Sequence, residues 1–262
     1  MTTEPISLRV DALTKRFGGV SAVREVTFAH ASGGVIGLIG PNGAGKTTVF
    51  NMMSGAVAPT SGRLELDGRD VTGLRPDRMN RAGVSRTFQN LQVFGSLTVL
   101  ENVLVAREQF VRSGALRAML GLGRRGFEQE HSARALELLE MVRVDEHADT
   151  LATSLPYGLQ RRVEIARALA SEPRLLLLDE PLAGLSRAES ADLTTLMQQV
   201  AGTGVTVLLV EHDVASVMEV SDRVLVLDVG ELLADGTAEQ VQRDERVRAA
   251  YLGESLDGEE SA

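Results

Sequence analysis

The run Gly40-Pro41-Asn42-Gly43-Ala44-Gly45-Lys46-Thr47-Thr48 follows directly on the apolar stretch Val35 to Ile39. A buried strand that enters a glycine-rich turn and leaves as a helix aims successive backbone N–H groups at one concavity, where the helix N-terminus adds partial positive charge. Gly43 and Gly45 let the backbone come close to a ligand, Lys46 is placed to reach β- and γ-phosphates, and the Thr47 hydroxyl can ligate Mg²⁺. Strand, spacing and residue types together imply that the chain binds a nucleoside triphosphate.

Carboxylates are the natural complement of such a cradle. The apolar run Leu175 to Leu178 ends in Asp179-Glu180, and the carboxyl end of a buried strand is where open α/β sheets place their ligands. Asp179 can hold Mg²⁺ opposite Thr47, and Glu180 can orient and polarise an attacking water. His212 follows the next apolar strand, in Val210-Glu211-His212-Asp213, from where an imidazole N–H can donate to the γ-phosphate. Gln89 offers an amide for Mg²⁺ or water, although one glutamine by itself means little. Phe17, one of seven phenylalanines and two tyrosines, can stack on adenine or equally be an ordinary core residue.

Positioning these groups calls for a parallel sheet with crossover helices. The first third of the chain reads as β-rich, with strand candidates at Leu8-Arg9-Val10, Val26-Thr27-Phe28 and Gly62 to Gly68. From about 99 to 170 the pattern turns helical, with Ala133, Leu136, Leu139 and Val142 at i, i+3 spacing. Leu175–Leu178 and Val205–Val210 are nearly all apolar, as strands covered on both faces are. A helix with Leu193, Leu196, Met197 and Val200 on one face separates them, which predicts parallel pairing. A last strand, Arg223 to Leu227, leads to a turn at Gly230 and a C-terminal helix. Arg112 to Gly126 interleaves arginines with glycines and reads as a solvated surface excursion; a cationic face near a membrane is the sharper alternative.

Composition narrows the class. At 262 residues and 44% hydrophobic content the chain can bury a sizeable core. No stretch approaches the ~18 consecutive apolar residues of a membrane span, and the N-terminus lacks a signal-peptide pattern. The absence of cysteine excludes disulfides and thiol catalysis, and the four histidines lack metal-ligand spacing. A net charge of −9 argues against broad binding to nucleic acid.

In order along the chain, Phe17, GPNGAGKTT, Gln89, the segment Leu155-Pro156-Tyr157-Gly158-Leu159-Gln160, LLLLDEP and Glu211-His212 resemble an ATP-binding-cassette (ABC) ATPase over nearly the whole chain. The resemblance implies an α/β P-loop NTPase fold: a RecA-like core with a mixed, mostly parallel sheet, an antiparallel β-subdomain and a helical subdomain at about 99–170. The ATPase domain then spans 6–253, and the acidic tail 254–262 is expected to be disordered. It further implies ATP and Mg²⁺ as ligands, with two such chains sandwiching two ATP molecules head-to-tail. By position Phe17 becomes the adenine-stacking aromatic, Gln89 the Q-loop glutamine, Glu180 the catalytic carboxylate and His212 the switch histidine. Ala183-Gly184-Leu185-Ser186 takes the place of the D-loop. The insert around 107–127, the Thr87-Phe88-Gln89-Asn90 segment, LPYGLQRRVEIARAL and the ending Arg248 to Glu254 resemble the larger ATPase subunit of branched-chain amino-acid importers. Such a protein sits peripherally on the cytoplasmic face of the plasma membrane, on two permeases fed by an external substrate-binding protein, and pairs with a second, different ATPase. Related importers of urea and other small amides share these features.

Two positions depart from the family pattern. Pro156 stands where the usual signature has serine and supplies neither a hydroxyl nor a backbone N–H. The N–H groups of Tyr157 and Gly158 and the dipole of the following helix, expected from Leu159 to about Ser171, are left to meet a γ-phosphate. The ATP site closed by this signature is therefore expected to be the weaker of two. Ser186 replaces the usual D-loop aspartate, which puts coupling through that loop in question.

Overall fold

The fold is taken from a computed structural model that describes residues 5–87, 91–107 and 124–257. The chain packs into two compact units, Met1–Val84 with Arg174–Glu180 and Met197–Ala262, and Ser85–Pro173 with Pro181–Leu196.

The first unit holds two sheets. β1 (Leu8–Phe17), β2 (Val20–His30), β4 (Ser61–Leu66) and β5 (Arg69–Asp70) form an antiparallel sheet in the order β2-β1-β4-β5. β3 (Gly34–Ile39), β6 (Val84–Arg86, divided between the units), β7 (Leu175–Asp179), β8 (Thr206–Val210), β9 (Arg223–Asp228) and β10 (Glu231–Gly236) form the second, ordered β10-β9-β3-β8-β7-β6. The strands β9, β3, β8 and β7 run parallel, and β10 is antiparallel at one edge. One face of this sheet, with Ile36, Leu38, Leu177, Leu208 and Leu225, shares a core with Val49, Phe50 and Met53 of α1 (Lys46–Met53) and with Leu8, Val10 and Phe28. The helix α2 (Pro76–Arg81) adds Met79 to that core. The alternate residues Leu176, Leu178, Val207, Leu209, Val224 and Val226 are buried as well, as are Val217 and Val220 of α7 (Val214–Val220). Covering both faces is why these strands read as unbroken apolar runs.

The strands at either end of the chain exceed what the sequence pattern predicts. β1 and β2 extend well past the short seeds, because their middles carry polar residues on the outward face of an antiparallel pair. β10 stands where a helix was expected directly after Gly230. It has no β-branched residue and no clean alternation, and it is held by pairing with β9 and by Arg223 bridging to Asp235 at 2.6 Å. Only then come α8 (Ala238–Arg243), started by a Thr237/Gln240 capping box, and α9 (Glu245–Asp257). α9 runs from Glu245 to Asp257, and 258–262 lie outside the described residues.

In the second unit a helix at 99–107 (α3) starts from a capping box in which Thr98 N–H donates to Glu101 Oε2 at 2.8 Å and Glu101 N–H to Thr98 Oγ1 at 3.2 Å. α4 (Arg124–Met141) buries His131, Ala135, Leu138 and Leu139, with Val142 just beyond it, while Ala133 and Leu136 face solvent. The expected stripe holds at Leu139 and Val142 and fails at Ala133 and Leu136, because a run of small and apolar residues satisfies two neighbouring helical faces. α5 (Tyr157–Leu169) begins two residues earlier than expected, with Pro156 as its N-cap residue, and buries Val163, Ala166 and Leu169. α6 (Arg187–Gly202), divided between the units, buries Leu193, Leu196, Met197 and Val200 as its pattern required.

A buried polar cluster ties α3 to α4. Arg107 Nε donates to His131 Nδ1 at 3.0 Å, and Arg107 Nη1 reaches Glu172 Oε1 at 3.0 Å. Burial, reinforced by the Arg107 charge, holds the His131 pKa below the ordinary 6.5. A histidine depressed in the fold contributes its full stability above the unfolded value and loses it as pH falls toward the folded one. Thermal stability is therefore expected to drop as pH falls below about 6.5. His131→Gln, which keeps an acceptor for Arg107, should flatten that drop; equal slopes in melting curves of the two proteins would contradict it.

Candidate active site

The phosphate cradle is built by β3, the loop 40–45 and α1. Two contacts explain why the loop needs glycine where it turns. A Cβ on Gly40 would collide with the Leu227 carbonyl, and one on Gly45 would stand 2.5 Å from the Ala22 carbonyl. Gly45 is the N-cap of α1 in the left-handed region, φ 99°, which glycine adopts without steric cost. No side chain caps α1, so its first turn presents backbone N–H groups and the positive end of the helix dipole, a fitting seat for an anion. Lys46, 7% exposed, folds over the loop and donates from Nζ to the carbonyls of Gly40 and of Pro41, the latter at 2.9 Å. The Thr47 side chain is exposed beside it.

Strand register brings the remaining groups to the same level. Val210 of β8 is paired with Leu38 of β3 on one side and with Asp179 of β7 on the other. The phosphate loop, Asp179-Glu180 and Glu211-His212 consequently leave the sheet side by side at its carboxyl end. Asp179 is buried. Glu180 has φ 48°, a left-handed backbone that costs a non-glycine residue ~1–2 kcal/mol. Its N–H donates to the Val210 carbonyl at 2.9 Å. The side chain turns to His212, with Nε2 2.8 Å from Glu180 Oε1. The side chain of Glu180 is 16% exposed and that of His212 58%, so the pair has a sheltered carboxylate and an accessible imidazole.

Phe17 ends β1 and is 51% exposed. Of the two readings left open for it, the core one is excluded. Its strand partner is Val20, and Ala22, two residues further along β2, is the residue whose carbonyl meets Gly45; the hairpin carrying the exposed ring thus borders the phosphate loop. The turn between β9 and β10 closes the same corner, with Gly230 N–H donating to the Ala44 carbonyl at 3.1 Å and Arg24 N–H to the Gly230 carbonyl at 2.7 Å. Reading Gly230 as a simple turn missed this support, which depends on two strands distant in sequence.

The donor set suits Mg²⁺. A threonine hydroxyl and an aspartate carboxylate are hard oxygen ligands of the kind that share this ion with substrate phosphates. Among the described residues no group of three or more His, Cys, Asp or Glu is placed to hold a metal alone.

Tyr157 and Gly158 open α5 in the second unit. The Tyr157 hydroxyl accepts from Arg161 Nη2 at 3.0 Å, and Arg161 is itself paired with Glu164 at 2.9 Å in a fully buried bridge. Ser186 starts α6: its N–H donates to Glu189 Oε2 at 2.9 Å, and Glu189 N–H donates to Ser186 Oγ at 3.3 Å. The hydroxyl and N–H of Ser186 hold the Glu189 pKa below the usual carboxylate range. Serine thus caps this helix as aspartate does elsewhere. The Ser-x-x-Glu spacing was a legible signal for that role. Gln89 and most of the arginine-rich insert lie outside the described residues.

Comparison with known proteins agrees with this geometry. Residues 23–183 match the family described as ABC transporter, and residues 231–257 match that described as branched-chain amino acid ATP-binding cassette transporter. The chain is 44% identical to the high-affinity branched-chain amino acid transport ATP-binding protein BraF of Pseudomonas aeruginosa, over 95% of this chain and 98% of that protein. It is 42% identical to the corresponding LivG of Escherichia coli K12, with the same coverage. Among solved structures, the ADP conformation of MJ1267, an ATP-binding cassette of an ABC transporter, superposes with TM-score 0.82 at 30% identity, covering 95% of this chain and 99% of that one.

Proposed function

This chain belongs to the ABC transporter family of ATP-binding proteins, and we propose that it is the ATP-hydrolysing motor of an importer for branched-chain amino acids or closely related small polar solutes. The observation that carries the proposal is the convergence of Lys46, Thr47, Asp179 and the Glu180–His212 pair at the carboxyl edge of one parallel sheet. Phosphoryl transfer asks mainly for positioning and charge stabilisation, and each of these residues supplies one part. The loop N–H groups and Lys46 hold the phosphate chain, with the ammonium exchanging the Gly40 and Pro41 carbonyls for phosphate oxygens. Thr47, Asp179 and Gln89 would hold Mg²⁺, which neutralises phosphate charge when bound. Glu180 Oε1 orients the attacking water and takes its proton, and His212 Nε2–H, which steadies that carboxylate, turns to the γ-phosphate. Phe17 stacks on the adenine.

The motor works in pairs, with Tyr157 and Gly158 of α5 facing the ATP held by a second, different ATPase subunit. The pair sits on the cytoplasmic face of the membrane against two permeases, served by an external binding protein. Among the described residues no helix is long and apolar enough to cross a membrane, so the permeases must supply the path. The names of BraF and LivG support the substrate class; urea and small amides are the alternative cargo.

The test is ATPase activity and sedimentation of the chain with and without its candidate partner ATPase and permeases. Hydrolysis rising on assembly, together with uptake of labelled leucine into vesicles, is the expected result. A complex that assembles and hydrolyses ATP but moves an amide and no branched-chain amino acid would overturn the substrate assignment. A chain that binds ATP but neither pairs nor hydrolyses would overturn the motor.

A further inference from the structure

The Lys15 ammonium stands over the exposed ring of Phe17, on the hairpin that borders the phosphate loop. Nζ lies 5.0 Å from the centroid of the Phe17 ring and donates to the Ala58 carbonyl at 2.7 Å. Ala58 belongs to the connection between α1 and β4, which is stitched to β1 on both sides of Lys15. Thr60 N–H donates to the Thr14 carbonyl at 2.8 Å, and Arg16 N–H donates to Thr60 Oγ1 at 3.0 Å. The cation is therefore held by backbone on a loop that leaves the helix α1.

An ammonium above an aromatic face is attracted to the ring quadrupole by ~0.5–1 kcal/mol at exposed sites. For Phe17 this has two consequences. The ring, free to rotate at a strand end, is pinned with one face covered and the other left for a flat partner. The cation also draws π density toward itself, so the free face becomes a better surface for an electron-rich base. We propose that Lys15 is a positioning residue for nucleobase recognition: it braces Phe17 so that adenine stacks on the opposite face. The inference rests on the reading of Phe17 as the adenine-stacking aromatic.

The experiment measures binding of MgATP and of inorganic tripolyphosphate, which has no base, to the full chain by calorimetry. Lys15→Gln keeps a donor for Ala58 without the charge, and Lys15→Arg keeps the cation. The expected result is an ATP dissociation constant raised about two- to fivefold in Lys15→Gln, unchanged tripolyphosphate binding, and near wild-type behaviour in Lys15→Arg. Equal weakening of both ligands would overturn the inference, because the lysine would then act through long-range attraction to phosphate. Phe17→Leu separates the two layers. If it leaves ATP affinity unchanged, the stacking reading fails and the inference with it. If it weakens ATP while Lys15→Gln does not, the inference alone fails. Melting curves of each variant confirm that folded protein is being compared.

Discussion

ATP hydrolysis by the assembled Glu180→Gln protein is expected to fall at least ~100-fold, the loss typical of removing a positioned general base, while ATP binding persists. Glutamine has the shape of glutamate, so the left-handed backbone at 180 and its N–H bond to Val210 are retained. The amide can still accept from His212 Nε2, which keeps the 2.8 Å contact. What disappears is the capacity to take a proton from water. Phosphate release and filter binding of labelled ATP, measured on the same preparation, separate the two effects. Because the nucleotide is bound but not consumed, the variant should also accumulate as an ATP-dependent pair with its partner in sedimentation. Retention of more than about a tenth of wild-type turnover would remove Glu180 from the role of base.

Lys46→Ala is expected to act one step earlier, on binding. A lysine ammonium makes charge-assisted bonds to phosphate oxygens worth ~1.5–3 kcal/mol each, so loss of one such bond weakens ATP by roughly ten- to 150-fold. The substitution also removes the clamp between Lys46 Nζ and the carbonyls of Gly40 and Pro41, which loosens the loop that must present its N–H groups. The glycine contacts with Leu227 and Ala22 that set the turn are untouched, so the fold should melt near the wild-type temperature. Calorimetric titration with MgATP beside a thermal melt tests both statements. Wild-type affinity in a folded Lys46→Ala protein would show that the cradle binds through its backbone alone.

How much was legible follows from where the information resides. GPNGAGKTT, LLLLDEP and Glu211-His212 are each local strings at the end of a buried strand, and a buried parallel strand announces itself by an unbroken apolar run. The central sheet was accordingly legible in the chain directly, and the structure places the candidate carboxylate Glu180 2.8 Å from the candidate histidine His212. The failures have a common cause. β10 has weak intrinsic strand character and owes its form to β9 and to the Arg223–Asp235 bridge. The burial of α4 was settled by which of two adjacent stripes met a neighbour, not by spacing.

The sequence by itself determined the ligand class, the order of the candidate site residues and the parallel core, because glycine placement, charge at strand ends and apolar runs act over a few residues. The tertiary structure alone decided that Phe17 is exposed, that Glu180 carries a left-handed backbone and turns to His212, and that Lys15 is clamped over an aromatic ring by a carbonyl 43 residues away. Each of these depends on a partner far along the chain, and only packing chooses among partners that local propensity leaves equivalent.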